Sequence, residues 1–511
     1  MSATRGERAG RRVRRTVDSL HQLPFKQPRH RFPPIEVLSA DELESIHLAS
    51  LRVLEEIGIR VQNQRALDLY RAAGATVDMA TQHVRLDRGI VAAAMATAPS
   101  QFTLHSRNPE RSLVYGGGHM AFGTVGGPPN CSDLDGGRRP GTHHDSQMFI
   151  RLVQSLNCVH IAGPAVAAID LDPETRHLDT AFDILTMTDK IFQASGIGAT
   201  RINDTIDMFC IARGITREQI AQSPSVSTVI NTNSPLLVDG PMADGLMACA
   251  EAGQAVIVTP FTLAGAMAPI SLAGALAQQN AEALAGMTLV QLTRPGAPVV
   301  YGGFTSNVDM RSGSPAFGTP EFAKGAMATG QLTRRYKVPY RSSNVNASNA
   351  VDAQAAYESQ MSIWSSVLGH VNLLMHGAGW LEGGLVASFE KMIVDAEMLQ
   401  MMAKTLEPIE VNEDALGLDA MREAGSGGHF FGTAHTQRRY EHEFYTPLLS
   451  DWRNFETWQN AGALDANQRA NVIGKSLLAS YEKPPMDPDV EAELRAFVER
   501  RKKEIASEAR S

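Results

Sequence analysis

Short apolar and β-branched runs recur through the middle of the chain, at 119–122, 160–166, 191–195, 226–230, 255–259, 299–303, 338–341 and 371–375. Between most of them stands a helical pattern introduced by a turn signal. The stretch 278–291, QQNAEALAGMTLVQ, is one example, and it stops before the breaker Arg294-Pro295-Gly296. Strands alternating with helices at intervals of about 25–45 residues predict a closed parallel (β/α)8 barrel of the TIM type. A doubly wound sheet gives the same alternation, and the number of units favours the barrel. Upstream, Ser39 followed by Glu42 predicts a capping box. The apolar stripe Ile46, Leu48, Leu51, Val53, Leu54 and Ile57 then predicts a helix that Gly58 ends. A second helix over 63–73 and strand-like pieces at 84–86 and 102–105 complete a small α+β cap.

The pattern divides the chain into a flexible basic arm over 1–34, the α+β cap over 35–115, the barrel over 116–407 and a C-terminal extension over 408–511. The extension carries a charged helix over 487–508 and is expected to pack on the barrel's outside or bottom. Several strand ends run into polar or glycine-rich stretches: INTNSPL (230–236), TPFTLAGAM (259–267), YGGFTSNVDMRSG (301–313), YRSSNVNASN (340–349) and HGAGWLEGG (376–384). In a barrel these stretches share the C-terminal rim, where barrel enzymes place their active sites. An enzyme or a ligand-binding protein follows from the architecture; the reaction does not.

Composition removes some classes of function. The formal charge of -8 leaves no basic field for a polyanion, and the local basic run is confined to the first residues, so nucleic acid is not an expected partner. Cys131, Cys158, Cys210 and Cys249 stand singly, which argues against a disulfide framework and a structural zinc site. The N-terminus lacks the apolar segment of a secretory signal, and the apolar stretch 256–277 is broken by Pro260 and Pro269. A soluble, cytoplasmic protein without membrane spans is expected.

No Walker loop, H-E-x-x-H or G-x-S-x-G elbow is present. The rim stretches instead collect amides (Asn231, Asn233, Asn307, Asn344, Asn346, Asn349) and aromatics (Phe261, Tyr301, Phe304, Tyr340, Trp380). With an acid such as Glu382, aromatics of this kind suit a quaternary ammonium through cation–π attraction. The plain alternative is that the rings fill core layers and the asparagines make turns. Arg311 is placed to meet a substrate carboxylate, or to pair with Asp309 or Glu321. His429, His435 and His442 match no zinc spacing and read as structural, as do His143 and His144. A barrel acting on a small carboxylate through a lysine or a metal is the runner-up, but Lys324 and Lys391 lie in helical patterns and only Lys337 is left.

Taken together, INTNSPL, GAMAPISLAGALAQQNAEALAG with PGAPVVYGG, DMRSGSPAFGTPE, AVDAQAAYES and GGHFFGTAHTQRRYEHEFYTPLLSDWRNFETW resemble the trimethylamine methyltransferase family. The likeness runs from about residue 35 onward. It implies a barrel that presents the methyl group of a methylated amine to the Co(I) of a corrinoid, the cobalamin-type cofactor of a separate small partner protein, with no bound metal of its own. On that resemblance the substrate pocket is expected from Tyr301, Phe304, Asn307, Arg311, Asn344, Asn346, His376, Trp380 and Glu382, with Asn231 and Asn233 facing the cofactor. A homo-oligomer is expected. Family members acting on trimethylamine carry pyrrolysine; this chain has ordinary residues in the matching stretch around 340–349. A quaternary amine such as glycine betaine is therefore favoured over trimethylamine, and a non-catalytic betaine-binding barrel remains a further alternative.

Overall fold

The computed structural model describes residues 20–508. Eight parallel strands close into a barrel in chain order: β1 (Ala121–Thr124), β2 (Ile161–Ala162), β3 (Ile191–Ala194), β4 (Val226–Thr232), β5 (Ala255–Pro260), β6 (Val299–Gly302), β7 (Tyr340–Ser343) and β8 (Leu373–Ala378). The helices that follow them are α1 (His143–Ser155), α2 (Arg176–Met187), α3 (Ala199–Arg213), α4 (Gly240–Glu251), α5 (Leu272–Thr293), α6 (Pro320–Tyr336), α7 (Ala353–Leu368) and α8 (Phe389–Thr405). The eight apolar runs of the sequence are these eight strands.

Alternation along each strand separates two layers. Phe122, Phe192, Ile230, Val256, Val258, Val299, Tyr301, Tyr340 and Leu374 join the large core between sheet and helices. Ala121, Ile161, Ile191, Ala255, Ile257, Val300, Leu373 and Met375 form a second core inside the barrel. Leu104, Leu113 and Tyr115 belong to this inner core. They come from the hairpin Gln101–Leu104 and Leu113–Gly116, which thereby plugs the N-terminal end of the barrel. The lumen is packed below and can hold a ligand only toward its C-terminal end.

The capping box of Ser39 and Glu42 forms as the sequence predicts and opens the helix Ala40–Arg52. That helix lies outside the barrel, with Ile46 packed on Leu276, Ala277, Ala328 and Leu332 of α5 and α6. The strand Ile59–Val61 pairs with Leu237–Val238 in the loop after β4, so the N-terminal cap also braces the rim. Residues 1–19 of the expected arm lie outside the described residues. From Leu20 on, the arm is anchored rather than free: Gln22 donates to the Ser155 carbonyl at 2.9 Å, and Gln400 accepts the Leu23 amide at 2.7 Å.

Two small sheets stand on the rim where the sequence reads as loops. Thr262–Ala264, Thr305–Val308 and Pro315–Ala316 form one; Trp380–Leu381, Val386–Ser388, Asn130–Asp133 and Gly137–Pro140 form the other. They join rim segments that are far apart in the chain and hold them in register. In the C-terminal extension, α9 (Ala466–Ala479) and α10 (Pro488–Glu508) pack on the barrel, with Arg501 on Asp204 and Lys502 on Asp179. Between 407 and 446 only Ala420 and Thr433 are buried. No helix among the described residues is long and apolar enough to cross a membrane.

Candidate functional site

The inward-facing residues change from apolar to polar on going up the lumen. Above Ile191 stands Gln193, and above Ile257 stands Thr259, each two residues further along its strand. On β7, Tyr340 reaches outward to the Ala326 carbonyl and Ser342 to Ser366, so Arg341 and Ser343 point inward. Gln193 Oε1, Thr259 Oγ1, Ser343 Oγ, His376 Nδ1 and both Nε and Nη1 of Arg341 are buried without a hydrogen-bond partner among the described residues. Buried polar atoms are normally paired, so a cluster of unpaired ones marks a place built for something other than this chain's own side chains.

Arg341 dominates this cluster. It is 2% exposed and its Cζ lies 5.3 Å from the centre of the Phe304 ring. Burial lowers its pKa to about 9, which leaves it cationic at neutral pH. No carboxylate among the described residues forms an ion pair with it. The buried carboxylates nearby are already engaged. Asp395 holds Lys391, Asn344 and the Gly379 amide, and Glu358 takes the amides of Ala347 and Ser348. Burying a lone cation costs several kcal/mol, of the order known for unpaired ions, and an anionic ligand would relieve that cost.

Aromatic rings stand beside the guanidinium. Phe304 lies 5.0 Å from Phe261, 5.7 Å from Phe317 and 6.3 Å from Trp380. His376 lies 4.4 Å from Trp380 and 6.0 Å from Phe304. The His376 backbone has φ of 54°, next to an irregularity in the β8–β1 pairing between Leu374 and Ala378. A left-handed residue other than glycine is a strained conformation that persists where the surroundings require it. Burial, followed by the Arg341 charge, drives the imidazole pKa well below its ordinary value, so His376 is neutral.

The other expected site residues fall into two groups. Asn344, Asn346 and Asn307 support the site from behind. Asn344 donates to the Gly377 carbonyl and to Asp395, and Asn346 donates to the Trp380 carbonyl while its own carbonyl accepts the indole N–H. Asn307 accepts from Thr319 at the start of α6. Three more are corrected by the structure. Tyr301 faces outward, bonded to Asn280 and stacked on Tyr336 at 6.3 Å, because its position on β6 has the opposite parity to the lumen. Arg311 sits in an exposed turn in which Asp309 accepts its amide. Glu382 pairs with Arg138 at 2.9 Å on the rim. Asn231 is exposed at the end of β4 on its lumen side. Asn233 is exposed too, but its Oδ1 accepts the Asp239 amide in the following turn. Arg341 and Phe317 were missed. The signal for Arg341 was a charged residue within an otherwise buried strand, and reading it required the parity of β7.

His435 Nε2 donates to the Asp414 carbonyl at 3.0 Å, and His143 pairs with Asp183 at 2.5 Å. Among the described residues no group of His, Cys, Asp or Glu is arranged to hold a metal.

The family model for trimethylamine methyltransferase (MTTB) matches residues 4–506. Glycine betaine methyltransferase of Desulfitobacterium hafniense is 39% identical over 478 residues, covering 93% of this chain and 99% of the relative. Trimethylamine methyltransferase MttB of the same species is 30% identical over 463 residues, covering 90% and 93%. The crystal structure of monomethylamine methyltransferase from Methanosarcina barkeri aligns with a TM-score of 0.48 and 11% identity over 87% of this chain and 94% of that one.

Proposed function

The chain belongs to the trimethylamine methyltransferase family and is a methyltransferase, and on that premise we propose that its methyl donor is a small quaternary ammonium carboxylate of the glycine betaine type. The observation that carries the choice is the buried, unpaired Arg341 beside the ring cluster of Phe304, Phe317 and Trp380. The two features match the two ends of a betaine: the guanidinium binds the carboxylate through two parallel N–H groups, and the ring faces attract the methylated cation. Trimethylamine offers nothing to Arg341. A quaternary nitrogen has no lone pair to mask, so the lumen needs to hold and aim it rather than activate it.

The methyl acceptor in this reading is the Co(I) of a corrinoid on a separate small protein, which supplies the nucleophile when docked. The rim fits a protein partner. Leu134, Ile169, Ile197, Ile270, Met310 and Leu385 are exposed large apolar residues on six different loops of the C-terminal face, ringing the mouth. This chain's own residues bind the donor, keep water from its charged ends and fix its axis, which supplies the entropic part of catalysis. Asn346 holds Trp380 and the bulge turns His376 into the lumen, so the cage is set before the donor arrives.

Calorimetry on the full chain with glycine betaine and with tetramethylammonium tests the assignment. Arg341→Met is expected to lose about 2–3 kcal/mol, roughly 30- to 150-fold, for glycine betaine and little for tetramethylammonium. Equal losses for both ligands, or none, would remove Arg341 from the donor site. The functional assembly is proposed to be a homo-oligomer. Ile409, Val411, Phe431, Phe444, Trp452 and Phe455, each at least 64% exposed, stand on the segment that leaves the barrel after α8. They contribute apolar surface on the order of 1,000 Å2 with their neighbours, which is what one side of a stable interface needs.

A further inference from the structure

Six of the eight barrel helices begin with a side chain that accepts a first-turn amide: Thr142, Asp239, Ser271, Thr319, Asp352 and Ser388. The two exceptions are neighbours. Neither α2 nor α3 has a side-chain cap. Both N-termini border one cavity of about 220 Å3 at the C-terminal ends of β2 and β3. Arg176 and His177, the first two residues of α2, and Arg201, the third of α3, line it together with Ser195, Thr180 and Thr205.

His177 is the independent mark of a ligand here. It is 8% exposed; its Nε2 is held at 2.8 Å from Asp204, which also binds Arg501, and its Nδ1 has no partner among the described residues. The cations are weakly countered. Glu174 lies 3.9 Å from Arg201 with its side chain 73% exposed, and Asp204 stands behind the imidazole. The carbonyl of Asp172 takes the Thr175 and Arg176 amides at the start of α2, and the second uncapped start is that of α3. That helix follows Ser195-Gly196-Ile197-Gly198, a glycine turn between strand and helix. Gly198 has φ of 83°, and nothing lies within 4 Å of where its Cβ would be.

We infer that this cavity is a phosphate-binding site, separate from the donor site in the lumen. The guanidinium groups of Arg176 and Arg201 supply the positive charge that a phosphate dianion requires, and the uncapped starts of α2 and α3 add the positive ends of two helix dipoles. The group could arrive as free phosphate or a phosphate monoester. It could also be the phosphodiester in the nucleotide tail of the corrinoid acceptor, a source that rests on the acceptor reading above.

Calorimetry of the full chain with inorganic phosphate, at constant ionic strength, tests the site directly. Saturable binding is expected, weakened about tenfold or more by Arg201→Gln and by Arg176→Gln and unchanged by Arg341→Met. Retained denaturant midpoints show that the variants are folded. Absence of saturable binding, or binding by both arginine variants as tight as that of the wild type, would overturn the site whatever the fate of the methyl-transfer reading. The source follows from phosphate competition against methyl transfer to cobalamin and to cobinamide, which lacks the nucleotide tail. Inhibition confined to cobalamin assigns the corrinoid tail. Equal effects on the two acceptors assign a free phosphate ligand.

Discussion

At the scale of the residue, two arginines illustrate how position decides chemistry. Arg311 stands on the rim segment most suggestive of a carboxylate clamp, but water already solvates it and a clamp there would gain little. Arg341 is withdrawn from water and has no counter-ion among the described residues, so any carboxylate it meets gains the full benefit of a desolvated pair. Arg311→Met is expected to leave glycine betaine affinity unchanged, and calorimetry in parallel with Arg341→Met checks this. Trp380→Leu should weaken binding of the ammonium end by about 0.5–2 kcal/mol for glycine betaine and tetramethylammonium alike. A loss limited to one of them would argue against the ring as part of a cation cage.

Two buried histidines set a pH dependence of stability. Burial lowers the pKa of His160 to about 3 and that of His30 to about 4. Both are neutral when folded, whereas the unfolded chain takes up protons below about 6.5. Because the unfolded state binds more protons in that window, stability falls as pH drops from 6.5 toward 4, by up to about 1.4 kcal/mol per pH unit for each group. Denaturant midpoints measured across that range should show the slope, and His160→Gln should reduce it.

At the scale of the element, the strands and the first helix were legible because their causes are local. Apolar runs of the right length make strands, and Ser39 with Glu42 makes a capped helix end whatever surrounds it. The rim sheets were not legible. Asn130–Asp133 finds its partner in Val386–Ser388, more than 250 residues away, and pieces this short carry no periodicity of their own. The donor site shared that fate in part. Phe304, Trp380 and His376 were visible as rim residues, while Arg341 was overlooked and Tyr301 misplaced because inward and outward parity depends on where the neighbouring strands and helices lie. Behind β7 and β8, Lys391, Asp395 and Asn344 form a fully buried network that ties α8 to the Gly377–Gly379 backbone. Lys391→Met leaves Asp395 without its cation and is expected to cost about 3–5 kcal/mol in denaturant unfolding. A near-neutral result would show that the pair is dispensable to the fold.

At the scale of the whole molecule, the barrel is closed below by its hairpin plug and open above, where the donor cage, the apolar ring of the mouth and the phosphate cavity all lie on one face. Ile409, Val411, Phe431, Phe444, Trp452 and Phe455 stand exposed away from the core, and the homo-oligomer proposed from them predicts a sedimentation mass above that of one 55.2 kDa chain. Phe431→Asp with Phe444→Asp should shift that mass toward the monomer, whereas a monomeric wild type would dismiss the interface. The central claim joins a betaine donor to a corrinoid acceptor. Its most direct test is a single reaction of the full chain with glycine betaine and reduced cobalamin, following the Co(I) absorbance and dimethylglycine together. The account predicts that the absorbance falls in step with dimethylglycine formed, and that Arg341→Met slows the reaction steeply. Demethylation of trimethylamine with no turnover of glycine betaine would contradict it.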